Sequence, residues 1–230
     1  MVHPRANTRT IAVGIAAILL VATFALPPAP ARGAATRLSF SAAVSRLVVS
    51  AEHIGGYQRA LFGGWIDADG DGFNTRAEVL MSESKVEVTW NTRRTILTGR
   101  WYSLYDAATW TKASDVDIDH VVPLAEAWRS GAWSWSSARR SSYANDLGAG
   151  WTLRAVTDNV NQAKGDDDPA HWMPPHAPAT CRYLADWVSV KLRWKLSVDT
   201  AERSSILASW SRQRCDRAAK PITIEVRVAP

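Results

Sequence analysis

Cysteine is nearly absent: Cys181 and Cys215 are the only two in 230 residues. Two thiols exclude four-cysteine zinc sites and all-cysteine iron–sulfur clusters. Phenylalanine and methionine are sparse as well, at 4 and 3. No internal repeat or low-complexity tract occurs, and 13 Gly with 11 Pro is ordinary globular usage, neither collagen-like nor disordered. There is little long apolar sequence either. The one run, Ile11 to Leu26, covers about sixteen residues where a bilayer span takes about 20. Arg5 and Arg9 precede it, Pro27 and Pro28 end it, and Ala29-Pro30-Ala31 supplies a small-x-small cleavage site. The reading is a signal peptide over residues 1–31, cleaved after Ala31, that leaves a secreted protein with no stable membrane association. Cleavage removes two arginines and no acid, so the formal charge falls from +5 to +3. The 199 residues from 32 to 230 suffice for a single domain with its own core.

What the chain has in quantity is tryptophan, 12 in all. They are spread from Trp65 to Trp210, which suits core and helix packing rather than one stacking platform. Export to an oxidising compartment favours a Cys181–Cys215 disulfide. The loop it closes spans 34 residues, for which the chain-entropy model gives about 3–4 kcal/mol.

Apolar periodicity predicts a helix within 38–62, from Leu38, Phe40, Ala43, Leu47, Val48, Ile54 and Leu61, with a bend at Gly55-Gly56. Short strands or extended chain are expected within 79–105, and helix again over 121–144. Leu184, Trp187, Val188 and Leu192 mark an amphipathic helix over 181–194. Ser197 to Thr200 offers N-caps for a further helix over 201–217, with Glu202 in its first turn.

Two motifs carry chemistry. Asp67-Ala68-Asp69-Gly70-Asp71-Gly72, followed after five residues by Glu78, fits the pattern of a calcium loop. Alternate carboxylates of a tight loop face one cation, Gly72 permits the turn, and Glu78 closes the shell. Asp67, Asp69, Asp71 and Glu78 are therefore candidate ligands for a structural Ca²⁺. The alternative is a solvated acidic turn ahead of a helix that starts near Asn74 or Thr75.

The second motif is Asp117-Ile118-Asp119-His120-Val121-Val122-Pro123-Leu124, with Asn159-Val160-Asn161-Gln162-Ala163-Lys164-Gly165-Asp166 downstream. Phosphodiester hydrolysis needs a base for water and a cation for developing charge, and an Asp beside a His offers both. Neighbours in a strand point to opposite faces, so Asp119 and His120 share a site only if the strand bends. On spacing alone the pair reads equally well as a structural histidine with an adjacent carboxylate.

DIDHVVPLAEAW with NVNQAKGDDDP resembles the HNH, or ββα-metal, nuclease motif, and the chain is similar to secreted HNH endonuclease family proteins of actinobacterial type. The acidic loop, the GRWYS and YD segment, the YANDL stretch, the HWMPP turn and the Cys181 tail extend the resemblance over about residues 54–215. It implies an α+β fold, mainly helical, built around a hairpin-plus-helix core at about 115–170, with an acidic loop at 67–78 and a disulfide-closed tail at 181–215. It further implies that Asp119 and Asn161 ligate a catalytic Mg²⁺ or Mn²⁺, with His120 as general base. The motif's middle position falls near Thr152, where Asn or His is usual; Asn145 is the other candidate brace. In the family that the chain resembles, a Cys often stands where Phe73 stands here.

The expected activity is metal-dependent hydrolysis of DNA, possibly RNA, by a monomer with little sequence preference, since no zinc finger or helix-turn-helix accompanies the motif. Lys164, Arg139 or Arg140 would hold a flanking phosphate, while Asp115, Asp117 and Glu126 would orient His120 or water. His171 and His176 offer an alternative zinc set with His120. Between Arg182 and Lys220, nine basic residues face four acidic ones, which suggests a tail that meets the nucleic-acid backbone. The competing classes are a non-enzymatic exported calcium-binding wall or adhesion module and a hydrolase of another phosphate ester.

Overall fold

An antiparallel pair between residues 116–120 and 153–157 lies between two hydrophobic clusters and carries the chemistry-bearing motif. The computed structural model describes residues 35–217 and 222–229, all within one compact unit, Gly33–Pro230. The signal segment read at 1–31 lies outside the described residues. In chain order the elements are β1 (Thr36–Leu38), α1 (Phe40–Val44), α2 (Thr75–Glu83), β2 (Thr89–Trp90), β3 (Ile96–Tyr102), β4 (Thr109–Lys112), β5 (Val116–His120), α3 (Leu124–Arg129), α4 (Ser137–Ala144), β6 (Leu153–Thr157), α5 (Asp158–Lys164), α6 (Thr180–Trp194), α7 (Thr200–Arg212) and β7 (Ile224–Val226). The strands form three antiparallel groups: β1 with β7, β2–β3–β4, and β5 with β6.

The β5–β6 register runs from Val116 opposite Thr157 to His120 opposite Leu153. Alternation sorts the pair's two faces. Val116, Ile118, Leu153 and Ala155 pack into a cluster with Phe73, Val79, Leu80, Ile96 and Trp101. Val156, on the other face, joins the larger cluster around Tyr105, Tyr183, Leu184, Trp187 and Trp194. Asp117 and Asp119 share that second face with Val156, so acids point to where α5 packs. β6 runs into α5 with no intervening loop.

Local signals explain several boundaries. The Asn74 side chain accepts from the Ala77 amide at 3.1 Å and caps α2. Asp199 does the same for α7 through the Glu202 amide at 2.7 Å. Helix α6 ends at Lys195, which adopts a left-handed conformation with φ of 56°. Cys181 at its start and Cys215 beyond α7 form a disulfide with Cα atoms 5.5 Å apart. No helix among the described residues is long and apolar enough to cross a membrane.

The helix expected within 38–62 stops at Val44. A tertiary contact overrides the local pattern: Val198 donates to the Val48 carbonyl and Ser50 to the Val198 carbonyl, both at 2.9 Å, which draws 48–50 out as extended chain. Val48 and Ile54, expected on an apolar helix face, are exposed. Only a short 3-10 turn, Arg59–Phe62, forms further on.

Among the described residues, the basic tail is internal only at two positions of α6, while Arg182, Lys195, Arg212, Arg214 and Arg217 are exposed. Lys191 and Arg193 are buried on Glu126, Glu202 and Asp146, and Arg182 pairs with Asp186. The charge excess counted over 182–220 is therefore not a surface stripe on α6.

Candidate active site

At the end of β5, a cleft of about 260 Å³ is lined by Asp119, His120, Asn161, Gln162, Arg59 and Asp166, with Ile118, Pro123, Leu124 and Gly165. Asp119 and His120 keep to opposite faces of the strand, as alternation requires. Both reach the cleft because the ladder ends here, its last bond running from the Val121 amide to the Thr152 carbonyl at 3.1 Å.

His120 is buried, with Nε2 2.9 Å from the Ala144 carbonyl oxygen. A carbonyl only accepts, so Nε2 carries the proton and Nδ1 keeps the basic lone pair. The ring lies parallel to Trp65, with centroids 5.2 Å apart, and also stacks on Tyr143. Burial lowers its pKa to about 4, Arg59 and Lys164 act in the same direction, and the Ala144 bond opposes them. The imidazole is thus neutral at physiological pH.

Across the other face, α5 answers the strand's two acids one turn apart. The Asn161 amide donates to Asp117 at 3.2 Å. Lys164 places Nζ 2.7 Å from both oxygens of Asp119, 2.9 Å from the His120 carbonyl and 3.1 Å from that of Val121. The Tyr105 hydroxyl donates to Asp119 Oδ2 at 2.6 Å. Burial pushes the Asp119 carboxyl up and the Lys164 ammonium down, and each partner opposes the other's shift. The four oxygens around Nζ suit the ammonium form.

Several expected roles change. Lys164 is fully buried, with its protons on Asp119 and two carbonyls, so it does not reach a substrate phosphate. Arg140 donates to the carbonyls of Leu61, Ala132 and Trp135, and Arg139 stacks over Trp135 and Trp194. Neither lines the cleft. Its basic side chain at the surface is Arg59, exposed and without an ion pair among the described residues. Nothing in its local sequence marks it. Glu126 is bound to Lys191 and Arg129 rather than to His120, and Asp115 accepts from Ser114. His120, His171 and His176 do not converge as an ion site among the described residues; His171 instead contacts Asp168 at 2.9 Å.

Thr152 and Asn145 both brace the site. The Thr152 hydroxyl donates to the carbonyls of Asp146 and Ala149 at 2.6 and 2.8 Å, closing the turn before β6. Asn145 accepts from the Ile66 amide at 3.0 Å and donates to Gly64 and Ser141. It thereby holds the segment that lays Trp65 on His120.

In the acidic loop, carboxylate oxygens of Asp67, Asp69 and Asp71 lie within 4.8 Å of one another. Asp67 also accepts from the amides of Gly70 and Gly72 at 2.9 Å. Glu78, in the first turn of α2, stands outside that trio, but partial burial and the charges of Asp69, Asp71 and Asp67 raise its pKa. A larger cavity, about 580 Å³, lies elsewhere, between α2, β6 and Arg182, and includes none of the cleft's chemical groups.

Residues 75–210 match the GmrSD restriction endonucleases, C-terminal domain. The chain belongs to this family. The GmrSD C-terminal-domain match spans α2 to α7 and so contains both strands of the β5–β6 pair, α5 and every cleft residue except Arg59. A relative from Arthroderma benhamiae, named only as an uncharacterized secreted protein, is 51% identical over 152 residues, 66% of this chain and 72% of the relative. No solved structure is significantly similar to the chain. Membership of the GmrSD C-terminal-domain family establishes a relationship to nucleases.

Proposed function

We propose that this protein is a secreted, divalent-cation-dependent endonuclease of the HNH type, in which β5, β6 and α5 form the ββα-metal core. The observation that carries the reading is His120: a buried neutral imidazole, its Nε2 proton committed to Ala144, that lines one cleft with Asp119, Asn161 and Arg59. Family membership supports phosphodiester chemistry. The disulfide, the apolar leader in the sequence and the secreted relative support export.

The donor set fits a hard cation. Asp119 Oδ1 accepts a single hydrogen bond, from Lys164, and the Asn161 side-chain oxygen accepts none among the described residues. Carboxylate and amide oxygens suit Mg²⁺ or Mn²⁺. Asp119 and Asn161 would hold the ion, which when bound supplies positive charge to the scissile phosphate. His120 Nδ1 takes a proton from water as that oxygen attacks phosphorus, and the bond to the 3′ oxygen breaks to leave a 5′ phosphate. Arg59 pairs with a non-bridging phosphate oxygen and orients the backbone in the cleft. Trp65 and the Ala144 carbonyl fix the ring plane and the tautomer. Contacts of this kind address the backbone rather than base edges, so DNA is cut with little sequence preference. The loop at Asp67, Asp69 and Asp71 binds a structural Ca²⁺ in this reading, supported by the convergence of its carboxylates.

The test is incubation of the secreted form with plasmid DNA and a panel of Mg²⁺, Mn²⁺, Ca²⁺ and Zn²⁺. Cleavage is expected with Mg²⁺ or Mn²⁺ and lost in His120→Ala. Full cleavage by that variant would remove the mechanism.

A further inference from the structure

Lys164 carries a positive charge into a fully enclosed ring of oxygens, at the carboxylate that the proposed mechanism assigns to the metal. Its Nζ has four oxygen neighbours at 2.7 to 3.1 Å: two from Asp119 and the carbonyls of His120 and Val121. An ammonium has three protons, so these acceptors occupy it completely. The two carbonyls sit where the chain leaves β5, and they anchor the ammonium independently of Asp119. Tyr105 fills a further position on Oδ2, so an incoming ion has Oδ1 as its less crowded approach. There it meets a carboxylate already neutralised by a cation that is tethered and shielded from water.

We infer that Lys164 is a built-in counter-cation that competes with the divalent ion for Asp119 and sets a weak metal affinity. The inference rests on the reading of Asp119 as a metal ligand. Its physical basis is the cost of an unpaired buried carboxylate. With Lys164 present, Asp119 is compensated in the metal-free protein, and the hairpin stands without an ion. Two cations on one carboxylate repel each other with little solvent to screen them, so the same compensation lowers the ion's gain on binding. Without the ammonium, the ion becomes the carboxylate's only counter-charge.

The experiment is Mn²⁺ titration by calorimetry and by the electron paramagnetic resonance signal of free Mn²⁺, on protein carrying Asp69→Asn and Asp71→Asn so that the acidic loop adds no ions. In that background Lys164→Met is expected to bind Mn²⁺ about tenfold tighter or more, within the usual range of coupling between two bound species. Its melting temperature falls in EDTA and rises with Mn²⁺ by more than that of the parent. Lys164→Gln, which keeps hydrogen-bond donors without the charge, shows the same tightening and serves as the measurement if the Met variant does not fold. A folded Lys164 variant that binds Mn²⁺ no tighter than the parent overturns the inference. Asp119→Asn separates this from the underlying reading: unchanged Mn²⁺ binding there would mean that Asp119 is not a ligand, whatever Lys164 does.

Discussion

The Nε2 atom of His120 lies 2.9 Å from the carbonyl oxygen of Ala144, and this contact leaves Nδ1 as the ring nitrogen able to accept a proton. Burial holds the imidazole pKa at about 4, against a usual value of 6.5. The sign is simple: a lowered pKa leaves the ring neutral, and able to accept a proton, at every pH well above 4. The sequence alone suggests loss of activity below about pH 6. The buried ring moves that loss downward, so kcat/KM should stay level from pH 8 to about 5 and fall only near 4. A pH–rate profile between 4 and 8 on one substrate checks this, and an acid limb centred at 6 or above would contradict a buried base.

Arg59 is expected to act on substrate rather than on the fold, because it is exposed and lines the cleft. Arg59→Ala should leave the melting temperature within about a degree or two, since exposed side chains such as this one, whose neighbour is the half-buried Tyr57, change stability by under about 0.5 kcal/mol. It should weaken DNA binding and reduce the slope of log affinity against log salt by about one, the signature of one lost phosphate contact. Binding measured over a salt series, with the His120→Ala form to prevent turnover, reads both effects. An unchanged salt slope would remove Arg59 from the phosphate path.

The parts of this molecule legible in the sequence are those written in adjacent residues. The Asp199 cap, the α6 stripe and the acidic loop each rest on a local pattern, and the disulfide follows from two cysteines in a chain read as exported. The structure forms the cap, the helix and the disulfide, and it brings three loop carboxylates together. Asp119, His120 and Asn161 stand out through the motif's resemblance to HNH nucleases rather than through spacing alone, and the structure brings all three to one cleft. What surrounds them was not legible. Trp65, Tyr105 and Ala144 come from segments up to about fifty residues from the motif, and their contacts with His120 and Asp119 depend on how those segments pack. Lys164 was found but misread, because its spacing from Asn161 says which way it points and not that its cavity is sealed. The helix expected over 38–62 failed for a similar reason, since the pairing with Val198 is invisible locally.

The acidic loop makes a prediction separate from catalysis. Three carboxylates with oxygens inside 4.8 Å repel one another, and partial burial together with these charges raises the pKa of Glu78. Millimolar Ca²⁺ should therefore raise the melting temperature, and Asp69→Asn with Asp71→Asn should abolish that rise while raising the temperature measured in EDTA. Differential scanning calorimetry with and without Ca²⁺ tests both. An equal response of parent and double variant would mean that the loop holds no ion.

The disulfide ties the start of α6 to the segment after α7, with 34 residues between the cysteines. Replacing both by alanine should lower stability by about 3–4 kcal/mol on the chain-entropy model. Urea denaturation of the double variant measures this. Because neither cysteine lines the cleft, the remaining folded fraction should keep its cleavage rate per molecule. A loss of rate larger than the loss of folded protein would tie the tail to the site.

The last expectation concerns the buried network of Glu126, Lys191 and Glu202. One ammonium serves two carboxylates here: Lys191 contacts Glu126 and lies 3.1 Å from Glu202, while the Trp187 indole donates to Glu202 as well. Glu202 is the N3 residue of α7, where a capping box would turn its side chain back to the helix start; instead it points inward. Burial raises its pKa from 4.5 to about 7, and repulsion from Glu126 adds to this, while Lys191 and Trp187 oppose it. The folded protein thus holds this proton more tightly than the unfolded chain does. This contribution to stability is greatest below pH 4.5, falls as pH rises through 7, and is constant above that. Glu202→Gln keeps an acceptor for Trp187, leaves Lys191 paired with Glu126, and removes the titration. The variant should lose several degrees less in melting temperature than the parent between pH 5 and 8. Parallel curves for the two proteins would show that Glu202 stays ionised in the fold across that range, and that Lys191 suffices for both carboxylates.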